Sequence, residues 1–237
     1  TKGIAMLTMA TVGKHVLAGT ALRVFAYNDK NGHLEQTLFK NLFDSLPKPH
    51  QINLNNMVGY DDEHLWLVSE HQVLSCRINN ERIEVLAKSP LFKSGLGQGL
   101  KIGNHLYVSS EKGRLLRFEF GKPQPEIIHI PNPYFNNETK LAKLSDGNIL
   151  LFMTGMHQAI LSPNTGKIRN VKVAGMPQEG SLDPAFAKQD SYGDVWLGTK
   201  RDGLYFTDKE KRHMRRVNVL NDIHIQALVE DTKRNIW

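Results

Sequence analysis

One cysteine, Cys76, is all this chain of 237 residues carries. No internal disulfide can form, and no zinc site built on several thiolates is available. No stretch approaches the ~20 consecutive apolar residues of a membrane-spanning helix. Low-complexity tracts are missing, and the 19 glycines keep no three-residue period, which excludes a disordered or collagen-like chain. The nucleophile elbow G-x-S-x-G, the zinc-binding H-E-x-x-H and the phosphate-cradling G-x-x-x-x-G-K-[ST] are all absent. No signal-peptide pattern is read in these residues. The first residue is Thr1 rather than Met, so we expect that an upstream segment has been removed. With 40% hydrophobic and 23% charged residues, the chain can bury a sizeable core, and one all-β domain can run this long.

What is present is a repeat. Its clearest copy is Asp190-Ser-Tyr-Gly-Asp-Val-Trp196-Leu-Gly-Thr199, followed by Gly203-Leu-Tyr-Phe206. Weaker copies surround Leu17, Trp66, Tyr107 and Leu150, and another begins before Trp237. Taken as anchors, Leu17, Trp66, Tyr107, Leu150, Trp196 and Trp237 are spaced by 49, 41, 43, 46 and 41 residues, a mean of 44. A period of about 40–50 residues with several short strands per unit predicts β-propeller blades. Each unit reads as four strands. An apolar first strand leads through an Asp/Gly/Asn turn to the second, which carries the anchor. A third strand of the Gly-Leu-Tyr-Phe type and a more polar fourth complete the unit.

The expected fold is therefore all-β: a β-propeller of four-stranded blades, about five of them complete, in one domain over residues 1–237. Blade boundaries fall near 1–46, 50–90, 95–131, 138–176, 183–220 and, for a partial blade, 223–237. The first strands are expected at Ile4–Met9, Ile52–Val58, Leu96–Ile102, Leu141–Leu144, Ala185–Ala187 and Ile225–Val229. The anchors should wedge between neighbouring blades. Helical spacing of Leu38, Phe39, Leu42, Phe43 and Leu46 before Pro47 suggests a short helical insertion. The last unit stops at Trp237 within its second strand. We therefore expect a longer parent, with further blades closing a ring of seven.

The segment Asp190–Tyr205 resembles the two-component regulator propeller repeat, D-x-x-G-x-[IV]-W-[IL]-G-T followed by G-L-[FY]. It matches at Asp190, Gly193, Val195, Trp196, Leu197, Gly198, Thr199, Gly203, Leu204 and Tyr205. Asp231, Ile236 and Trp237 match again, with Arg234 in place of the glycine. The other four units are degenerate: Glu63 stands where the turn glycine would be, and the anchor is Tyr107, Leu150 or Leu17 in three of them. The resemblance implies the periplasmic sensor region of a hybrid histidine kinase, of the kind with which gut Bacteroidetes detect glycan fragments. It implies a membrane-anchored parent, homodimerisation of that parent and phosphotransfer in a downstream kinase. This segment itself would be non-catalytic and without cofactor. A scaffold propeller that binds proteins, and a propeller lyase or glycosidase, are the competing functions.

Candidate sites are few. Propellers bind through loops on one face of the blades, and the most unusual such loop is Pro131–Asn137. Tyr134, Phe135, Asn136 and Asn137 offer aromatic faces beside amides, a combination suited to an oligosaccharide. The competing reading is that the two rings plug between blades. Met176-Pro-Gln178-Glu179 is the analogous loop one blade on. His15, His64 and His105 each precede an anchor by two residues, a slot that repeats around a ring rather than converging, so no metal is expected. The net charge is +6, and +4 of it falls within Lys200–Arg216. A basic cluster of that kind can bind nucleic acid. It reads better as a solvated edge strand, since no aromatic residue interleaves within Lys209–Arg216, and no nucleic-acid partner is expected.

Overall fold

The computed structural model describes residues 8–20, 24–28, 30–35, 54–79, 82–175, 183–209, 213–220, 223–225 and 227–237. Among these, twenty strands form five four-stranded sheets, each with its strands side by side in chain order. The first sheet holds β1 (Thr8–Val12), β2 (His15–Gly19), β3 (Val24–Asn28) and β4 (His33–Glu35). The second holds β5 (Leu54–Gly59), β6 (His64–Ser69), β7 (Val73–Asn79) and β8 (Arg82–Lys88). The third holds β9 (Leu96–Ile102), β10 (His105–Ser110), β11 (Arg114–Glu119) and β12 (Glu126–His129). The fourth holds β13 (Lys140–Lys143), β14 (Ile149–Phe152), β15 (Gln158–Leu161) and β16 (Ile168–Val171). The fifth holds β17 (Pro184–Gln189), β18 (Val195–Thr199), β19 (Leu204–Thr207) and β20 (Met214–Arg216). The only helical elements among the described residues are two short 3₁₀ turns, Thr154–Met156 and Asn218–Leu220. Among the described residues no helix is long and apolar enough to cross a membrane.

This is an all-β propeller of four-stranded blades. The sequence dictates it through polarity that grades across each sheet. Second strands are near-continuous apolar runs such as His64–Ser69, buried on both faces from Leu65 onward. Fourth strands such as Glu126–His129 alternate or mix charge, and most of their residues stay exposed or half-buried. A strand buried on both sides needs no polar face, whereas an outer strand must present one to water. The basic segment ends in β20, the outermost strand of its sheet, where cations discourage edge-to-edge pairing.

The chain divides into two compact units. One comprises Thr1–Glu111 with Leu115–Ile127, the other Lys112–Arg114 with Ile128–Trp237. In the first unit β1 lies beside β5 and β5 beside β9; in the second β13 lies beside β17. Leu17 belongs to a core shared by the first two sheets, with Val24, Leu54, Leu65, Leu67 and Cys76. Burial pushes the Cys76 thiol up to about 12. Trp66 belongs to the core between the second and third sheets, and Leu150 to that between the fourth and fifth. Tyr107 is buried as well.

Several expectations need correction. β1 runs to Val12, past the expected end at Met9, and turns at Gly13, pairing Leu17 with Ala10. Trp237, the last residue, is 77% exposed on a hairpin joined at Glu230 and Ile236. Trp196 is only half-buried, tilted against Phe206 at 5.0 Å. The suggested helix at 38–46 and the loop 176–179 lie outside the described residues.

Candidate functional site

The repeat motif is occupied by structural tasks. The Asp190 carboxylate accepts the Trp196 indole N–H at 2.8 Å and the backbone N–H groups of Tyr192 and Asp194. Gly193, at φ 91°, supplies the left-handed conformation that this turn requires. A side chain at Gly198 would collide with the Phe186 ring, since its Cβ would lie 2.1 Å from a ring carbon. Thr199 Oγ1 donates to the Gly203 carbonyl and accepts from the Asp202 N–H, closing the turn into β19. The last copy repeats the arrangement. Asp231 accepts the Trp237 indole N–H at 3.0 Å and the N–H groups of Lys233 and Asn235, and Arg234 takes φ 66° where the glycine is missing. The second copy lacks it. Tyr60 stands six residues before Trp66, and the buried Trp66 indole N–H finds no acceptor among the described residues.

The histidine slot also has structural work. His15, His64 and His105 each open the second strand of their sheet. His64 Nδ1 meets the Asp61 carboxylate at 2.8 Å. Among the described residues no group of three or more His, Cys, Asp or Glu side chains comes together to hold a metal.

The loop 131–137 behaves differently. It enters the fourth sheet at the end where the β14–β15 connection, Met153–His157, also lies. Tyr134 is 45% exposed, and its ring stacks on His157 with centroids 3.6 Å apart and planes 12° apart. The stack covers one ring face and fixes the other. Phe135, expected to be presented to a ligand, is only 3% exposed and plugs the interior instead. Its neighbour sets the direction: the Phe135 N–H donates to the Asn132 carbonyl in a tight turn. The amides hold this loop in shape. Asn132 Oδ1 accepts the Tyr134 N–H, Asn132 Nδ2 donates to Asn170, Asn136 Nδ2 donates to Thr154 Oγ1 at 3.4 Å, and Asn136 Oδ1 accepts the Glu138 N–H. Asn137 is half-buried beside them. Of the four expected ligand residues, Tyr134 alone is exposed.

Sequence reasoning missed what lies next to this loop. Lys140, the first residue of β13, and Lys200, in the turn after β18, are brought together by the packing of β13 beside β17. Lys200 pairs with Glu138 at 3.1 Å. Desolvation first, and then the Lys200 charge, hold the Lys140 ammonium below the usual lysine range. The only hint in sequence was a lysine just ahead of the apolar pair Leu141 and Ala142. At the opposite end of the same two sheets, Ser145, Asp146, Gln189, Tyr192, Gly193 and Lys209 line an open groove of about 420 Å³.

No family model and no curated protein matches the chain. Solved structures do. Two of the extracellular domain of BT4673 from B. thetaiotaomicron, described once as a hybrid two-component system and once as a one-component system, superpose with TM-scores of 0.75. They are 15% and 14% identical, and the match covers 100% of this chain and 31% of theirs. This chain thus spans about a third of those proteins' resolved length. The computationally designed protein Ika8 matches at 0.64, with 14% identity over 96% of this chain and 65% of its own. The WD40 β-propeller domain of Doa1 matches at 0.63, with 13% identity over 99% and 90%. At such identities the likeness is one of fold.

Proposed function

We propose that this chain is the extracytoplasmic sensor propeller of a two-component signalling protein, that its ligand is an oligosaccharide, and that Tyr134 is the surface on which a sugar ring stacks. The observation that carries the ligand reading is the Tyr134–His157 stack. It leaves one aromatic face immobilised toward solvent, so little side-chain entropy is lost when a sugar covers it. Support for the signalling reading comes from the repeat at Asp190–Tyr205 and the fold likeness to an extracellular two-component domain. The finer parts belong to the same reading. The domain sits in the periplasm of a membrane-anchored parent, and its blades are part of a ring of seven. It is non-catalytic and binds no nucleic acid. Ligand shifts the balance between two arrangements of a homodimer, and only the difference in affinity for those arrangements reaches a downstream kinase.

The test is calorimetric titration of the chain with a panel of plant and host oligosaccharides. We expect one glycan class to bind, and Tyr134→Ala to weaken it about 10-fold or more, as the loss of ~1.5 kcal/mol of aromatic contact implies. Unchanged affinity in Tyr134→Ala sinks the assigned surface. A gene with no membrane helix or kinase beside this segment sinks the signalling reading.

A further inference from the structure

The groove at the other end of the fourth and fifth sheets has the parts of a binding site. It opens between the β13–β14 turn and the β17–β18 turn, and Lys209, from the connection after β19, lines it as well. Antiparallel order puts all three connections at the same end. Its volume of about 420 Å³ falls within the range of small-molecule sites, about 300–1,000 Å³. One amide ties the two turns together. Gln189 Oε1 accepts the Ser145 N–H at 2.6 Å, and Gln189 Nε2 donates to the Gly193 carbonyl at 2.7 Å. The groove is thus formed in advance, so little loop ordering has to be offset on binding. Tyr192 lines it and is 58% exposed. Its N–H donates to Asp190, and the preceding Ser191 donates to Glu230 from both its N–H and its hydroxyl. The Arg234 guanidinium lies over the Tyr192 ring, 5.0 Å from its centroid. Arg234 does not line the groove, so the ring surface turned to the groove is what that cation leaves uncovered. Only two charged side chains line the groove, Asp146 and Lys209, and their charges cancel. Ser145 adds a hydroxyl, and the almost fully buried Leu144 adds an apolar surface.

We propose that this groove is a second ligand site, for a neutral saccharide, with one sugar ring packed on Tyr192 and its hydroxyls shared between Asp146 and Lys209. The ligand class follows from the lining. A sugar ring offers an apolar C–H face to an aromatic one, and each of its hydroxyls both donates and accepts, so a carboxylate and an ammonium are served at once. An anion would gain from Lys209 and lose as much to Asp146, because the two charges sum to zero. A purely apolar ligand would cover both charges without pairing either. Gln189 is a positioning residue: it acts by holding the two turns at a fixed separation. The site goes beyond the Tyr134 reading and stands apart from it, since Tyr134 lies at the opposite end of these sheets.

The experiment uses the 237-residue chain with ¹³C-labelled tyrosine rings, so that Tyr192 and Tyr134 are followed in the same titration. The probes are cellobiose, maltose and lactose, with free alanine as a zwitterion and sodium sulfate as an anion. We expect the Tyr192 signal to move saturably with at least one disaccharide and to stay still with alanine and sulfate. Lys209 is exposed, so Lys209→Met should fold like the parent. It should weaken the Tyr192 response about 5-fold through loss of a charged donor. Tyr134→Ala should leave that response unchanged. No movement of Tyr192 with any of the three disaccharides at about 50 mM, where even a millimolar site is nearly filled, overturns the proposal. So does a response that alanine or sulfate equals, or one that Lys209→Met leaves as strong as before. Movement of Tyr134 alone overturns this site while sustaining the other, so the two readings fail separately.

Discussion

Asp190 shows how much of the repeat is explained by one side chain. Its carboxylate takes an indole N–H and two backbone N–H groups, so a turn and a large ring are fixed by the same two oxygens. Removing it leaves three donors to compete for water in a half-buried place. Hydrogen bonds to a charged acceptor contribute about 1.5–3 kcal/mol each when their loss strands a partner. We expect Asp190→Ala to cost about 2 kcal/mol net, or about 4–8 °C in melting temperature for a chain this size. Asp190→Asn, which keeps an acceptor, should cost less. Thermal unfolding of both variants checks this, and an Ala variant within about 0.5 kcal/mol of the parent would contradict it. Trp66 makes the same point by contrast. With Tyr60 in the aspartate's place, its indole is held by apolar packing, including edge-on contacts to Tyr60 at 5.0 Å and Phe120 at 5.3 Å.

The hairpin around Asp231 is the element in which pH should act most visibly. The Trp237 indole N–H, the Asn235 side chain and two backbone N–H groups hold the Asp231 carboxyl well below its ordinary range, at about 2. A carboxyl depressed in the folded state stabilises that state above its unfolded value near 4 and loses the contribution as pH falls through 2. The hairpin should therefore stay formed at pH 4 and open as pH drops toward 2. Carboxyl ¹³C titration of Asp231, with the Trp237 indole N–H followed in parallel, should give a midpoint near 2. A midpoint near 4 would show that the indole bond does not form in solution. The strands differ from this hairpin in what holds them. β14 is buried along its whole length, so its stability comes from apolar area and responds little to pH.

At the scale of the whole molecule, the described residues include separate apolar clusters, each shared by two sheets. Leu17 and Leu150 lie in different clusters and in different compact units, with no residue common to both. Each truncation to alanine should cost about 2–5 kcal/mol through lost burial and the cavity left behind. The double variant should cost the sum of the two within about 0.5 kcal/mol, because sites without shared partners are additive. Denaturant unfolding of the two single variants and the double variant measures this. A coupling above about 1 kcal/mol would mean that the clusters communicate.

The repeat and the strand plan were legible in the chain itself. Polarity periods and turn residues act between neighbours in sequence, so Leu96–Ile102 could be assigned as a strand from its own residues. The six anchors were also visible, since spacing is a property of sequence. Which anchors are fully buried was decided by packing: Leu17, Trp66, Tyr107 and Leu150 are covered, and Trp196 is only half-buried. The orientation of the loop 131–137 was equally out of reach. Tyr134 and Phe135 are adjacent in sequence, and only the turn at Asn132 sends one outward and the other inward. Ser145 and Gln189 stand 44 positions apart and meet because β13 lies beside β17. Local order follows from local chemistry, whereas a site assembled from distant residues exists only after the sheets have packed.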